Sequence, residues 1–173
     1  FVDCNERLLL DPSKLTNAHC KAASAILATH VYGRRCDMDT LARIACDYDL
    51  YLLEDSAEAH GVVPHPATDA TCWSFYRNKI IAGEEGGAIA FAHSSAAKLA
   101  KQLRSLGFTD AHDYTHLPYG HNYRMSNLHA SAILASLRGA NANIDERRRI
   151  VDLYESHCPA HLRMPRRDAL WVY

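Results

Sequence analysis

Lys79 lies in a polar loop, five residues beyond Ser74 of the run ATCWSF. A lysine amine becomes a nucleophile toward carbonyl carbon when its surroundings help it shed a proton. Most lysines are surface residues, so Lys79 alone specifies no chemistry. A second candidate is Leu52-Leu53-Glu54-Asp55-Ser56-Ala57-Glu58-Ala59-His60-Gly61. An apolar strand ending in an acid puts Asp55 at the carboxyl edge of a parallel sheet, where open α/β folds bind ligands. The plainer alternative makes Asp55 a turn cap and Glu58 a solvated carboxylate. His112, His116 and His121 crowd one loop at spacings of four and five. That is not a helical His–Glu–His arrangement, and no metal site is expected. The six cysteines, at 4, 20, 36, 46, 72 and 158, form no CxxC pair. They read as scattered thiols in a reducing compartment.

The elements that would carry these residues alternate. Residues 1–3 and the run AILAT at 25–29 read as strands, the second ending at His30-Val31-Tyr32-Gly33, where glycine turns the chain. Asp37 and Asp39 suit a helix N-terminus, and Leu41, Ile44, Ala45 and Tyr48 follow at helical spacing. Residues 50–53 form the next strand. Strand, helix and strand within about thirty residues make a βαβ unit and hence a parallel sheet. Residues 70–75 and 88–91 are two further strands. Ser94 or Ser95 caps a helix ended by Gly107, and residues 108–123 form a loop. Helices follow over 126–137 and 144–157, and a new strand begins at Leu170. The class is α/β.

Composition narrows the function. The chain has 173 residues, 48% of them apolar and 23% charged, with a formal charge of −1. Nucleic-acid affinity needs a basic excess, which is lacking. No run reaches the ~18 apolar residues of a membrane span. Eight glycines and six prolines are too few for a disordered chain. Neither GxGxxG nor a P-loop occurs, which argues against another kind of nucleotide-binding domain. The chain opens on Phe1 rather than Met, so it is expected to be a piece of a longer protein.

Five motifs stand in order along the chain: Asp37-Met38-Asp39, the 54–61 segment, Ser74-Phe75-Tyr76-Arg77-Asn78-Lys79, Glu85-Gly86-Gly87 and Gly120-His121-Asn122-Tyr123-Arg124-Met125. With this set, over nearly its whole length, the sequence resembles the DegT/StrS-type pyridoxal-phosphate sugar aminotransferases, and within them the GDP-perosamine synthase group. The resemblance implies part of the large domain of a fold-type I, aspartate aminotransferase-like enzyme, with a mainly parallel sheet flanked by helices. Residues 1–140 would be that partial cofactor-binding domain. Residues 141–173 would be a connecting helix and the start of the small C-terminal domain.

The same resemblance implies roles. The cofactor would be pyridoxal 5′-phosphate, an electron sink whose ring nitrogen is kept protonated by an acid. Asp55 matches that acid, and a carboxylate facing a pyridinium is favoured in its charged form. Lys79 matches the lysine that bonds the cofactor's aldehyde and later acts as base and acid. Ser74 matches a phosphate contact, Glu58 a residue near the ring hydroxyl, and Asn122 one reaching the phosphate in a neighbouring subunit. A shared site implies a homodimer. The implied reaction moves an amino group from L-glutamate to a nucleotide-linked 4-keto-6-deoxy sugar, in the cytoplasm, without nucleic-acid or membrane partners. Lysine at 79 separates it from related dehydratases, which carry His there. Arg147-Arg148-Arg149 reads as a solvated helix face, with contact to a nucleotide-sugar phosphate the alternative.

Departures favour the alternative of a truncated or non-catalytic member. The family's upstream Gly-Thr phosphate turn and ring-stacking aromatic lie outside residues 1–173, so the isolated chain is expected to lack turnover. The 61–74 stretch is short, with Asp69 standing in for a turn Asp. Arg77 replaces a small residue. Glu84 replaces a glycine where left-handed backbone would cost about 1 kcal/mol or more. Arg77 and Glu84 are candidates to pair across the loop.

Overall fold

The computed structural model describes residues 1–109, 114–163 and 167–172. The sheet grows from the alternating run 25–29. In β1, Ala25–Thr29, Ile26 and Ala28 are buried while their neighbours face outward. Helix α2, Met38–Asp47, starts where the Asp37 carboxylate accepts the Thr40 N–H at 3.1 Å, satisfying a donor the helix itself leaves unpaired. Strand β2, Tyr51–Asp55, lies parallel to β1, with Ala25 opposite Tyr51 and Thr29 opposite Asp55. The expected βαβ unit is therefore present. Strand β3, Ala70–Ser74, runs parallel to β2, placing Cys72 opposite Asp55. Strand β4, Gly87–Phe91, returns antiparallel, and the strand order is β1-β2-β3-β4.

Ile26, Ala28 and Leu52 pack on Met38, Leu41 and Ala45 of α2 to form the core. Each Leu-sized side chain so buried is worth about 1.5–3 kcal/mol. This packing fixes which face of the sheet meets the helix. Because side chains alternate along a strand, Leu53, Asp55, Cys72 and Ser74 share the opposite face. The functional residues thus take their direction from the apolar ones.

Helices α3, Ser94–Arg104, α4, Asn127–Arg138, and α5, Ala140–His157, follow the sheet. Ser126 caps α4 by accepting the His129 N–H at 3.3 Å. Gly139 links α4 directly to α5, which begins four residues before the expected start. Two contacts buttress the loop after β3: the Ala82 N–H donates to Ser136 Oγ at 3.0 Å, and Asn143 Nδ2 donates to the Ile80 carbonyl at 3.1 Å.

Three expectations are corrected and one helix is added. Residues 1–3 are not a strand, because the chain bends back at once through a single bridge between Cys4 and Leu10. Ser94 is the first residue of α3 rather than its cap; His93 precedes it without a side-chain cap. Helix α1, Asn17–Ala22, was not anticipated and is set by a capping box between Thr16 and His19. Residues 170–172 are not in a strand: the neighbouring N–H groups of Asp168 and Ala169 both donate to the Gly33 carbonyl, leaving no ladder to extend.

Candidate active site

The carboxyl ends of β2 and β3 bring Asp55 beside Cys72. Asp55 Oδ1 accepts the Ala57 N–H at 3.0 Å and faces the Cys72 thiol at 3.7 Å. Asp55 is thus the turn cap of the plainer reading and also sits at the sheet's carboxyl edge. No donor among the described residues engages its second oxygen, Oδ2. Burial, together with that carboxylate, pushes the Cys72 thiol above the ordinary thiol range.

Lys79 is carried by a loop folded on itself. The Phe75 N–H donates to the Gly86 carbonyl at 2.8 Å, the Gly83 N–H to the Phe75 carbonyl at 2.8 Å, and the Arg77 N–H to the Glu84 carbonyl at 3.2 Å. Arg77 and Glu84 therefore meet through main chain, while the Arg77 guanidinium lies over the Tyr76 ring. Glu84 takes the left-handed conformation expected of the missing glycine, with φ 67°.

His60 brackets the lysine. Its Nε2 donates to the Ser74 carbonyl at 2.9 Å, and its Nδ1 accepts the Ile81 N–H at 3.1 Å. Burial lowers the His60 pKa, and the Lys79 charge adds to the effect against the opposing pull of the Ser74 carbonyl. A neutral ring with the proton on Nε2 satisfies both contacts.

The Lys79 side chain is 10% exposed, and its Nζ lies 3.8 Å from Glu58 Oε1. Glu58 Oε2 accepts the Tyr32 N–H at 2.7 Å. The lysine also rests on an aromatic face that sequence reasoning missed: its Nζ is 3.9 Å from the centroid of Trp171. Trp171 stacks on Tyr32, with centroids 6.3 Å apart and planes 12° from parallel. Trp171 and Lys79 are 92 positions apart, and no periodicity links them. The only sequence signal for Trp171 is an isolated aromatic near the chain end, in a run whose apolar residues suggest a strand.

The other expected residues separate clearly. Ser74 is at the end of β3, where its Oγ accepts the Tyr76 N–H at 3.3 Å. Asn122 lies elsewhere, bridged to Ser105 beyond α3, and no contact among the described residues brings it to Lys79, Asp55, Glu58 or Ser74. Asp69 ties the start of β2, accepting the Leu52 N–H at 2.8 Å. His116 bonds the Leu106 carbonyl and packs on Phe108, and His121 stacks on Tyr123; His112 lies outside the described residues. Among the described residues no metal-ligating cluster forms. All six cysteines are free thiols. Arg148 and Arg149 pair with Asp145 and Glu146 on their own helix, whereas Arg147 donates to the Trp171 carbonyl at 2.8 Å.

A lysine amine and a carboxylate with one oxygen uncommitted among the described residues stand at the carboxyl edge of a mostly parallel α/β sheet, the edge at which open α/β folds bind ligands. The chain belongs to the DegT/DnrJ/EryC1/StrS aminotransferase family, whose sequence profile matches residues 1–162. It is 32% identical to GDP-perosamine synthase of Caulobacter vibrioides, over 100% of this chain and 50% of that protein. It is 31% identical to dTDP-3-amino-3,4,6-trideoxy-alpha-D-glucose transaminase of Micromonospora megalomicea, over 89% of this chain and 43% of that protein. The structure of NtdA from Bacillus subtilis with bound cofactor PMP superposes with a TM-score of 0.83 at 29% identity, covering 90% of this chain and 37% of that one. The chain thus spans about half the length of the curated relatives it matches. No helix among the described residues is long and apolar enough to cross a membrane.

Proposed function

We propose that the protein is a pyridoxal 5′-phosphate-dependent aminotransferase that moves an amino group from L-glutamate to a nucleotide-linked 4-keto-6-deoxy sugar, of the kind that yields perosamine. The carrying observation is the Lys79 amine, directed by the loop after β3 to Glu58 at the sheet's carboxyl edge. The side chains suit the cofactor: among the described residues no donor engages Asp55 Oδ2, which could accept a ring N–H, and no hydrogen bond holds Lys79 Nζ. When bound, the cofactor supplies an aldehyde carbon and an electron sink.

In this reading Asp55 holds a proton on the ring nitrogen. Lys79 would hold the cofactor at its aldehyde carbon, and its amine would serve as the base and acid for the proton shift. Ser74 would hold the phosphate, and Glu58 would serve the ring hydroxyl. Asn122, which makes no contact with Lys79 among the described residues, would serve the phosphate of a neighbouring subunit in a homodimer. Residues 1–140 act as the partial cofactor domain, and 141–173 lead into the small domain. The reaction is placed in the cytoplasm.

The test is to add pyridoxal 5′-phosphate, reduce with borohydride and map the adduct by mass spectrometry. The adduct is expected on Lys79. A label on any of the other four lysines in its place ends the assignment.

A further inference from the structure

The segment that brings Trp171 over Lys79 is fastened independently of the lysine. The Asp168 and Ala169 N–H groups donate to the Gly33 carbonyl at 2.9 and 2.8 Å. The Asp168 carboxylate accepts the Arg35 N–H at 2.8 Å, Arg147 holds the Trp171 carbonyl, and Trp171 Nε1 donates to the Asn78 carbonyl at 2.9 Å. Five hydrogen bonds to four residues therefore set the indole plane independently of the lysine. The Asn78 bond ties Trp171 to the residue next to Lys79, so ring and amine share one frame. An ammonium over an aromatic face is drawn to the ring's negative quadrupole, most strongly where water is scarce. Glu58 supplies a carboxylate at 3.8 Å, beyond hydrogen-bond reach, and so leaves the orientation of the amine to the ring.

We propose that Trp171 is a positioning residue whose indole face, with the Glu58 carboxylate, forms the resting place of the Lys79 amine whenever that amine is not bonded to a carbonyl carbon. The amine must leave the ring to react, and it has a defined place to return to on release. The inference rests on the reading of Lys79 as the reactive lysine, but the contact itself is testable without the cofactor.

The probe is reductive methylation of the full chain with ¹³C-formaldehyde, which labels Lys14, Lys21, Lys79, Lys98 and Lys101 while preserving their charge. A dimethylammonium held over an indole face resonates upfield of solvated ones. The Lys79 methyl signal is therefore expected upfield of the other four and is assigned by its loss in Lys79→Arg. In Trp171→Leu, which keeps apolar bulk without a ring, the signal should return to the common position. Labelling of Lys79 should then accelerate roughly 3- to 30-fold, the range set by the strength of one such contact. Trp171→Phe, which keeps a ring face but loses the bond to Asn78, should retain most of the displacement and the slow labelling. The proposal is overturned if the native Lys79 signal lies among the others, if its displacement survives Trp171→Leu, or if its labelling rate does not change in that variant. If Trp171→Leu fails to fold, loss of the displacement in folded Trp171→Phe overturns it equally. Failure of the functional reading is recognised separately, by a borohydride-fixed pyridoxal phosphate on another lysine of the native chain.

Discussion

His30 Nε2 lies 2.7 Å from Glu54 Oε2, and solvent reaches neither side chain. The Cys36 N–H donates to His30 Nδ1 at 3.3 Å, which leaves the ring proton on Nε2, so a neutral imidazole donates to a carboxylate. The other Glu54 oxygen accepts the His65 N–H at 2.7 Å and the Thr68 hydroxyl. The His30 N–H also donates to the Asp55 carbonyl at 3.0 Å. The pair thus closes the carboxyl ends of β1 and β2 on the face opposite the Asp55 carboxylate. His30→Ala, which strands the buried carboxylate, is expected to cost about 3–5 kcal/mol, read as a lower urea midpoint.

The same site sets an acid limit. Burial raises the Glu54 pKa, but the bonds from His30, Thr68 and the His65 main chain outweigh it and hold the carboxyl below its ordinary 4.5. The folded chain then binds that proton less tightly than the unfolded chain. Its contribution is complete above pH 4.5 and is lost as pH falls through the lower folded value. Glu54→Gln should be less stable than the native chain at neutral pH. It should also lose less stability on acidification below about pH 4.5, as measured by denaturant titration at each pH.

His60 acts in a higher window. Its folded pKa lies below the ordinary 6.5, chiefly through burial, so its contribution is present above pH 6.5 and declines as pH falls beneath it. Protonation puts a hydrogen on Nδ1, which then cannot accept the Ile81 N–H, and adds a charge near Lys79. His60→Leu keeps the bulk and unpairs both the Ser74 carbonyl and the Ile81 N–H, at about 2–4 kcal/mol in total. Denaturant unfolding measures that loss. Borohydride-fixed cofactor on Lys79 should fall several-fold in the same variant, because the bracket that aims the lysine is gone.

Glu84 is exposed and holds φ 67°, a conformation glycine adopts without strain. Glu84→Gly should raise stability by about 1 kcal/mol, or roughly 2–4 °C in Tm for a chain of this size. An unchanged or lower Tm would mean that the side chain contributes more than its backbone conformation costs.

The β1–α2–β2 unit was legible because its apolar spacing, the Asp37 cap and the Gly33 turn all point the same way. Lys79 and Glu58 were singled out, and left-handed backbone at Glu84 expected, only through the order of motifs, since no local pattern distinguishes Lys79 from any other loop lysine; the contact between Lys79 and Glu58 was not foreseen. Trp171 was not legible at all. Its partners Tyr32, Asn78, Lys79 and Arg147 are spread over the chain, and its segment is held by single hydrogen bonds instead of a ladder with a period. Residues 1–3 failed for a related reason: a short run such as Phe1-Val2-Asp3 becomes a strand only beside a free edge, and here the chain folds back so that Cys4 bridges to Leu10.

Gly33 joins these two levels. Its φ is 73°, and a Cβ there would lie 2.2 Å from the Ala169 carbonyl oxygen. Glycine is therefore required twice, by the backbone angle and by the close passage of the segment that carries Trp171. Gly33→Ala adds about 1–2 kcal/mol of left-handed strain, and the overlap can be relieved only by pushing Ala169 away. The Asp168 and Ala169 bonds to the Gly33 carbonyl should then break first, because sheet and α2 do not depend on them. In a Trp73→Phe background, where Trp171 is the only indole, emission should shift to the red as the ring leaves Tyr32 and meets water. Tryptic cleavage after Arg167 should become several-fold faster while the main unfolding transition moves little. Unshifted emission with unchanged cleavage would show that Arg35, Asn78 and Arg147 suffice to hold the segment, and that Gly33 serves only the turn.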